Sequence, residues 1–402
     1  MRPDKLRIAF ATPEYVTEAH FDGGLANYIS RVAKLLVDRR HDVHVITYSQ
    51  IDEAEFEHQG VKVHRVRPKR FWTVCNRATG YSLANTLHWL SISTRIYRKL
   101  KQLHRETPFH LIQYPNYSLC GMFAIPFLRA KHVLRVSSLQ RDLNLASEAD
   151  RTIDSSLSER LEELQYRLTR NVFAPSDTMR RVLQKRVQTD LPVIRSPFYV
   201  ETDDWDYTVY DQCLKDKSYL LYFGRFQLQK GFHILARALP RFLDQYPDAC
   251  VALVGRDMET SLAPSMAAFA RTLCGPSSAR LILLENLPHK QLYPLIAAAR
   301  LVALPSLVDN LPNACLEAMG LGKVVIGTEG ASFDELITDG VNGFLVPVND
   351  AEALANKMIE AWVHPGLGEI SIAATQRIEE FAPENTISSL LNYYSTVLDA
   401  QS

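Results

Sequence analysis

Residues 305–347 read PSLVDNLPNACLEAMGLGKVVIGTEGASFDELITDGVNGFLVP. Just before them Leu301–Leu304 is an apolar run of the kind found in a buried parallel strand. Residues 305–310 form a polar turn. Pro312–Gly320 has a helical pattern, with Pro near its start and Gly at its end. Lys323–Gly327 reads as a second strand. The unit is strand, loop, helix, strand, and ligands of parallel sheets bind where such loops leave the carboxyl ends of the strands. Asp309 lies in the loop and Glu317 on the helix, with seven residues between them. Eight helical positions rise about 12 Å. The helix N-terminus between the two acids offers an anion site. Acid, anion site and acid in that order suit a sugar–diphosphate–ribose molecule. Taken singly, Asp309 also reads as a helix cap, and Glu317 as a solvated helix residue.

The pattern Asp309-Asn310-x-Pro312-Asn313, followed by Leu316-Glu317-Ala318-Met319-Gly320-Leu321-Gly322-Lys323-Val324-Val325, resembles the retaining group 1 glycosyltransferases of family 4. Their signature is Glu-x7-Glu. Asp309 stands where they carry the first Glu, and Lys323 where they usually carry Pro. The resemblance implies the α/β fold called GT-B: two Rossmann-like domains facing across a cleft, with a C-terminal helix crossing back to the first. It implies a UDP- or GDP-sugar donor, Asp309 at the sugar hydroxyls, Glu317 at the ribose, and Asn310, Leu311, Asn313 and Leu316 around the donor. It also implies retention of configuration, with no metal and no other cofactor.

The chain has 402 residues, enough for two or three domains, and equal numbers of acidic and basic residues, 45 each. Net charge therefore points to no particular partner. The six cysteines are scattered, with no Cys-x-x-Cys, which suits free thiols in a reducing compartment. No apolar segment has signal-peptide or membrane-spanning length. The expectation is a soluble, cytoplasmic protein, or one peripheral on the inner face of a membrane.

In chain order, Leu6–Phe10, a helix over 25–37 and a strand over 43–47 form a first βαβ unit, with Gly23 and Gly24 at the helix start. Glycine there lets a phosphate approach the backbone, and the resemblance places Gly23 and Gly24 at the donor. No Gly-x-Gly-x-x-Gly is present, so a dehydrogenase lacks its fingerprint. From Lys62 to Arg105 eleven basic residues recur with no Asp or Glu, and Phe71, Trp72 and Trp89 lie among them. This region reads as a contact for an anionic membrane surface or a lipid-linked acceptor, or as a solvated helix face. No nucleic-acid motif accompanies it.

Strands at 110–114 and 132–136 make Tyr114, Arg135 and Ser137 candidates for contacts to acceptor or sugar. Ser137 stands where many members of the family carry His. Strands at 171–174 and 193–197 close this half. Residues 199–217 read as a polar linker between a domain of residues 1–198 and one of 218–382. Asp204-Trp205-Asp206 has the short form of a metal–diphosphate motif but lacks a flanking apolar strand. After a strand at 219–223 come Gly224, Arg225, Lys230 and Gly231, resembling the family's Gly-Arg-x5-Lys-Gly. Such cations can stabilise a departing diphosphate. The resemblance puts the loop containing Leu287 beside the nucleobase, and residues 383–402 in the returning helix. The function expected is hexosyl transfer to a glycan, lipid-linked or small-molecule acceptor in glycoconjugate or polysaccharide synthesis. A nucleotide-sugar epimerase or hydrolase, or a non-catalytic subunit of a synthase, would share the fold.

Overall fold

Short apolar strands alternating with amphipathic helices build two separate parallel sheets. The computed structural model describes residues 5–18, 24–67, 80–137, 139–141, 152–187, 191–200, 204–309 and 312–400. The described part of 5–197 and the stretch from Pro383 onward form one compact unit; Phe198–Ala382 belong to the other.

The first unit contains β1 (Arg7–Thr12), α1 (Gly24–Asp38), β2 (Asp42–Tyr48), β3 (Glu55–His58), β4 (Val61–Val66), α2 (Ala84–Glu106), β5 (Leu111–Pro115), α3 (Ala124–Phe127), β6 (Lys131–Arg135), α4 (Ile153–Leu168), β7 (Asn171–Phe173) and α5 (Asp177–Val187). Its sheet runs β3-β4-β2-β1-β5-β6-β7, parallel except for the β3–β4 pair. Every residue of β1 after Arg7 is buried, as expected of a strand covered on both faces. The β3–β4 hairpin was not expected. Its signal is Gln59-Gly60, whose φ values of 51° and 79° suit a tight hairpin turn. The strand expected at 193–197 shrinks to a single bridge, Ala174 to Val193. Pro192 and Pro197 have no N–H to give a ladder.

The second unit contains α6 (Thr208–Cys213), β8 (Tyr219–Phe223), α7 (Phe232–Gln245), β9 (Cys250–Val254), α8 (Met266–Cys274), β10 (Leu281–Leu284), α9 (His289–Ala298), β11 (Leu301–Ala303), α10 (Asn313–Gly320), β12 (Val325–Thr328), β13 (Phe344–Val346), α11 (Ala351–Trp362) and α12 (Leu367–Glu379). Its six strands are all parallel, in the order β10-β9-β8-β11-β12-β13. The polar stretch read as a linker is structured where it is described. It carries α6, and Leu214 is fully buried.

The last helix, α13 (Pro383–Asp399), completes the first unit. Ile387, Leu390, Tyr394 and Val397 enter the core formed by β1, β2 and α1. Tyr394 donates to Gln113 Oε1 at 2.6 Å, and Tyr393 to the Val172 carbonyl at 3.3 Å.

Candidate active site

In the second sheet the strand order reverses between β8 and β11, the position where open α/β sheets bind ligands. Two loops leave the sheet there. The first, after β8, runs through Arg225 to Lys230 and Gly231; the second, after β11, runs from Pro305 to Asp309. They are joined through the backbone, with Leu307 N–H donating to the Gln229 carbonyl at 2.9 Å. Gly231 permits this approach. Its φ is +64°, and a Cβ there would lie 1.7 Å from the Pro305 carbonyl oxygen.

The joined loops bring Lys230 Nζ to 2.5 Å from Asp309 Oδ2. The Asp309 side chain is 13% exposed, and its backbone carbonyl accepts from Ser332 Oγ at 2.9 Å. Arg225 is exposed on the same loop and has no carboxylate partner among the described residues. The turn that presents it is held from below by buried Tyr222, whose hydroxyl donates to the Arg225 carbonyl at 2.8 Å. On α10, Glu317 is buried, with Oε1 3.5 Å from His289 Nε2. The His289 ring stacks on Tyr293, centroids 5.2 Å apart. The sequence reading did not select His289. Its only signal was the His289/Tyr293 spacing of one helical turn at the head of α9.

Of the other expected donor residues, Gly224 lies in the Arg225 turn, Asn313 opens α10, and Leu287 packs half-buried against the core. Leu316 is fully buried, so its side chain is a core element. Asn310, Leu311 and Gly23 lie outside the described residues; Gly24 opens α1. Tyr114 is buried and its hydroxyl meets His132 Nδ1 at 3.1 Å, which occupies it structurally. Ser137 donates its backbone N–H to Asn116 Oδ1 at 3.1 Å. Arg135 is buried at the end of β6, its guanidinium 3.9 Å from the centroid of the Tyr28 ring.

In the Asp204-Trp205-Asp206 run, Asp206 is engaged by its neighbours. Asp206 accepts from Thr208 N–H at 3.0 Å and Gln291 Nε2 at 2.7 Å, and these bonds hold its pKa down to about 2. Among the described residues no group of three or more His, Cys, Asp or Glu is placed to hold a metal ion.

Folding also redistributes the charge of the basic region. Lys62 pairs with Asp42, Arg65 with Glu18 and Asp52, Arg95 with Glu53, and Lys99 with Glu55. Arg98 and Arg105 remain exposed on α2. Residues 68–79, with Phe71 and Trp72, lie outside the described residues. No described helix is long and apolar enough to cross a membrane.

Residues 217–363 match the family model "Glycosyl transferases group 1", and residues 23–193 match "Glycosyl transferase 4-like domain". The chain is 22% identical to phosphatidyl-myo-inositol mannosyltransferase of Mycolicibacterium smegmatis, covering 94% of this chain and 91% of that one. Sucrose-phosphate synthase from Thermosynechococcus elongatus superposes with a TM-score of 0.77 at 18% identity, over 99% of this chain and 100% of the other. An Anabaena protein crystallised with UDP-glucose superposes with a TM-score of 0.73 at 19% identity, over 97% and 100%.

Proposed function

The chain belongs to the group 1 glycosyltransferases and has their GT-B fold, and on that premise we propose that it moves a hexose from a UDP- or GDP-sugar to a hydroxyl of a glycan, lipid-linked or small-molecule acceptor, with retention of configuration. The observation that supports this most is the Lys230–Asp309 pair on two joined loops at the sheet's reversal point, with Arg225 on the first of those loops and Glu317 on the helix that follows the second. A relative crystallised with UDP-glucose makes that donor class the first to test.

In this reading Arg225 and Lys230 bind the diphosphate, whose negative charge grows as the glycosidic bond breaks. The donor separates Lys230 from Asp309, and Asp309 turns to the sugar hydroxyls. Glu317, oriented by His289, accepts from the ribose hydroxyls. The acceptor hydroxyl attacks from the face the diphosphate is leaving, and a phosphate oxygen takes its proton. Arg225 and Lys230 supply the charge that a metal supplies in other transferases, so no metal is required. A membrane contact through Arg98 and Arg105 of α2 would serve a lipid-linked acceptor.

Calorimetry with UDP, GDP and ADP tests this, with and without EDTA. One nucleotide should bind unaffected by EDTA. Arg225→Ala and Glu317→Ala should each weaken it roughly tenfold to a hundredfold, the loss of one charge-assisted contact of about 1.5–3 kcal/mol. Binding that needs metal, or that both variants keep, would overturn the donor site. Turnover without an acceptor would show a hydrolase.

A further inference from the structure

Ser332 has a left-handed backbone, with φ at +62°, and is fully buried. That conformation is unfavourable for a residue with a Cβ. The other described non-glycine residues of the second unit that adopt it are Asp204, Asp216 and Asn349, all exposed and of the types that tolerate it best. The turn at Ser332 carries Phe333 into the core, which accounts for the reversal of the chain but not for a serine there. Glycine makes such turns without strain, as Gly330 does two residues earlier at a φ of +73°. What the serine adds is one hydroxyl, and it donates to the Asp309 carbonyl at 2.9 Å.

That bond belongs to a set that holds the loop after β11 from both sides. Thr328 Oγ1, at the end of β12, donates to the Ser306 carbonyl; Leu307 N–H donates to the Gln229 carbonyl; Ser332 holds Asp309. Thr328 and Ser306 are buried as well. Within this set Ser332 acts nearest the carboxylate. Fixing the carbonyl fixes the planar peptide that leaves Asp309, and with it the backbone from which the side chain hangs. The carboxylate itself pairs with Lys230. Resting on the proposed place of Asp309 at the donor sugar, we propose that Ser332 is a positioning residue for that contact. Its hydroxyl keeps the Asp309 backbone in place while the carboxylate exchanges Lys230 for the sugar. The strain at Ser332 is retained for the sake of that bond.

The test uses the full chain. Ser332→Gly removes both the hydroxyl and the strain; Ser332→Ala removes the hydroxyl and keeps the strain. Thermal melts are recorded, and each protein is titrated with UDP against UDP-glucose and with GDP against GDP-mannose. The readout is the gain in affinity that the sugar adds to the bare nucleotide. Ser332→Gly should melt close to wild type, because relief of strain offsets the lost bond, and Ser332→Ala should melt earlier. Both should bind the bare nucleotide as wild type does. Both should lose about three- to tenfold of the sugar-dependent gain, the scale of one neutral hydrogen bond. Should Ser332→Ala fail to fold, Ser332→Gly carries the test alone. A sugar-dependent gain kept by Ser332→Gly would overturn the proposal, since a serine that serves only stability predicts that result. An equal loss of bare-nucleotide affinity would also overturn it, because the whole loop would then have moved. In both cases nucleotide binding by wild type leaves the transferase reading standing. A wild type that binds nucleotide with no gain from either sugar would overturn the place of Asp309 at the sugar, and this inference with it. A wild type that binds neither nucleotide would overturn the donor site itself.

Discussion

A lysine held by a carboxylate is not free to meet a phosphate. In the proposed function Lys230 and Asp309 therefore set a condition on donor entry: both partners must find better ones at once. Lys230→Ala should cut kcat/KM at least about a hundredfold, the scale of losing one transition-state charge contact. It should move the melting temperature little, because the Lys230 side chain is 37% exposed and such pairs contribute little to stability. A large stability loss with activity kept would refute this. A second pair behaves differently. His44 and His64 stack 5.3 Å apart in the core, ring nitrogens at 3.0 Å. Burial, opposed by Asp42, pulls the pKa of His44 down to about 4, and burial lowers His64 as well. The unfolded chain takes up these protons near pH 6.5. Stability should therefore be full above pH 6.5, fall as the pH drops toward 4, and for His44 flatten below that. Urea midpoints from pH 7.5 to 3.5 should show this slope in wild type and a shallower one in His44→Gln; parallel curves would count against it. Lys230 and Asp309, which the structure pairs, were open to selection from sequence because one stands beside Gly231 at the start of α7 and the other in the loop before α10. His289 was not, since its partner Glu317 comes from another helix and no local pattern records that pairing.

The two joined loops depend on a single backbone conformation. Gly231→Ala adds a Cβ where the Pro305 carbonyl stands and forces a left-handed φ on alanine. The strain alone is on the order of 1–3 kcal/mol, so the loops should part and the second unit should melt earlier. Denaturation and UDP titration of Gly231→Ala together should show both losses; an unchanged melt with full binding would contradict the geometry. Most strands and helices were readable from apolar runs and 3.6-residue spacing. What was missed shares one cause. The β3–β4 hairpin alternates polar and apolar residues at a sheet edge, and the basic run gave the helix α2 only as the alternative reading of a solvated helix face. The polarity of residues 204–217 masked α6, whose neighbourhood buries Leu214. Half-exposed elements carry weak hydrophobic signals, and their charges find acids far away in sequence, as Arg95 finds Glu53.

Across the molecule, the first unit is built from two separated pieces of chain. Removing residues 383–402 withdraws Ile387, Leu390, Tyr394 and Val397 from its core. At roughly 1.5–3 kcal/mol per buried side chain, that loss rivals the whole stability of a domain. The truncated chain should yield to protease within residues 5–197 while 198–382 resists; equal resistance would show that α13 is dispensable. The same construction imposes an order on synthesis. A ribosome delivers every strand of the first sheet before it makes Phe198, then all of the second unit, and only afterwards the helix that closes the first core. For the time needed to translate nearly two hundred residues, the seam on β1, β2 and α1 waits open. Chaperone occupancy on nascent chains should therefore persist over the first unit until residues 383–399 emerge, long after the second unit has folded.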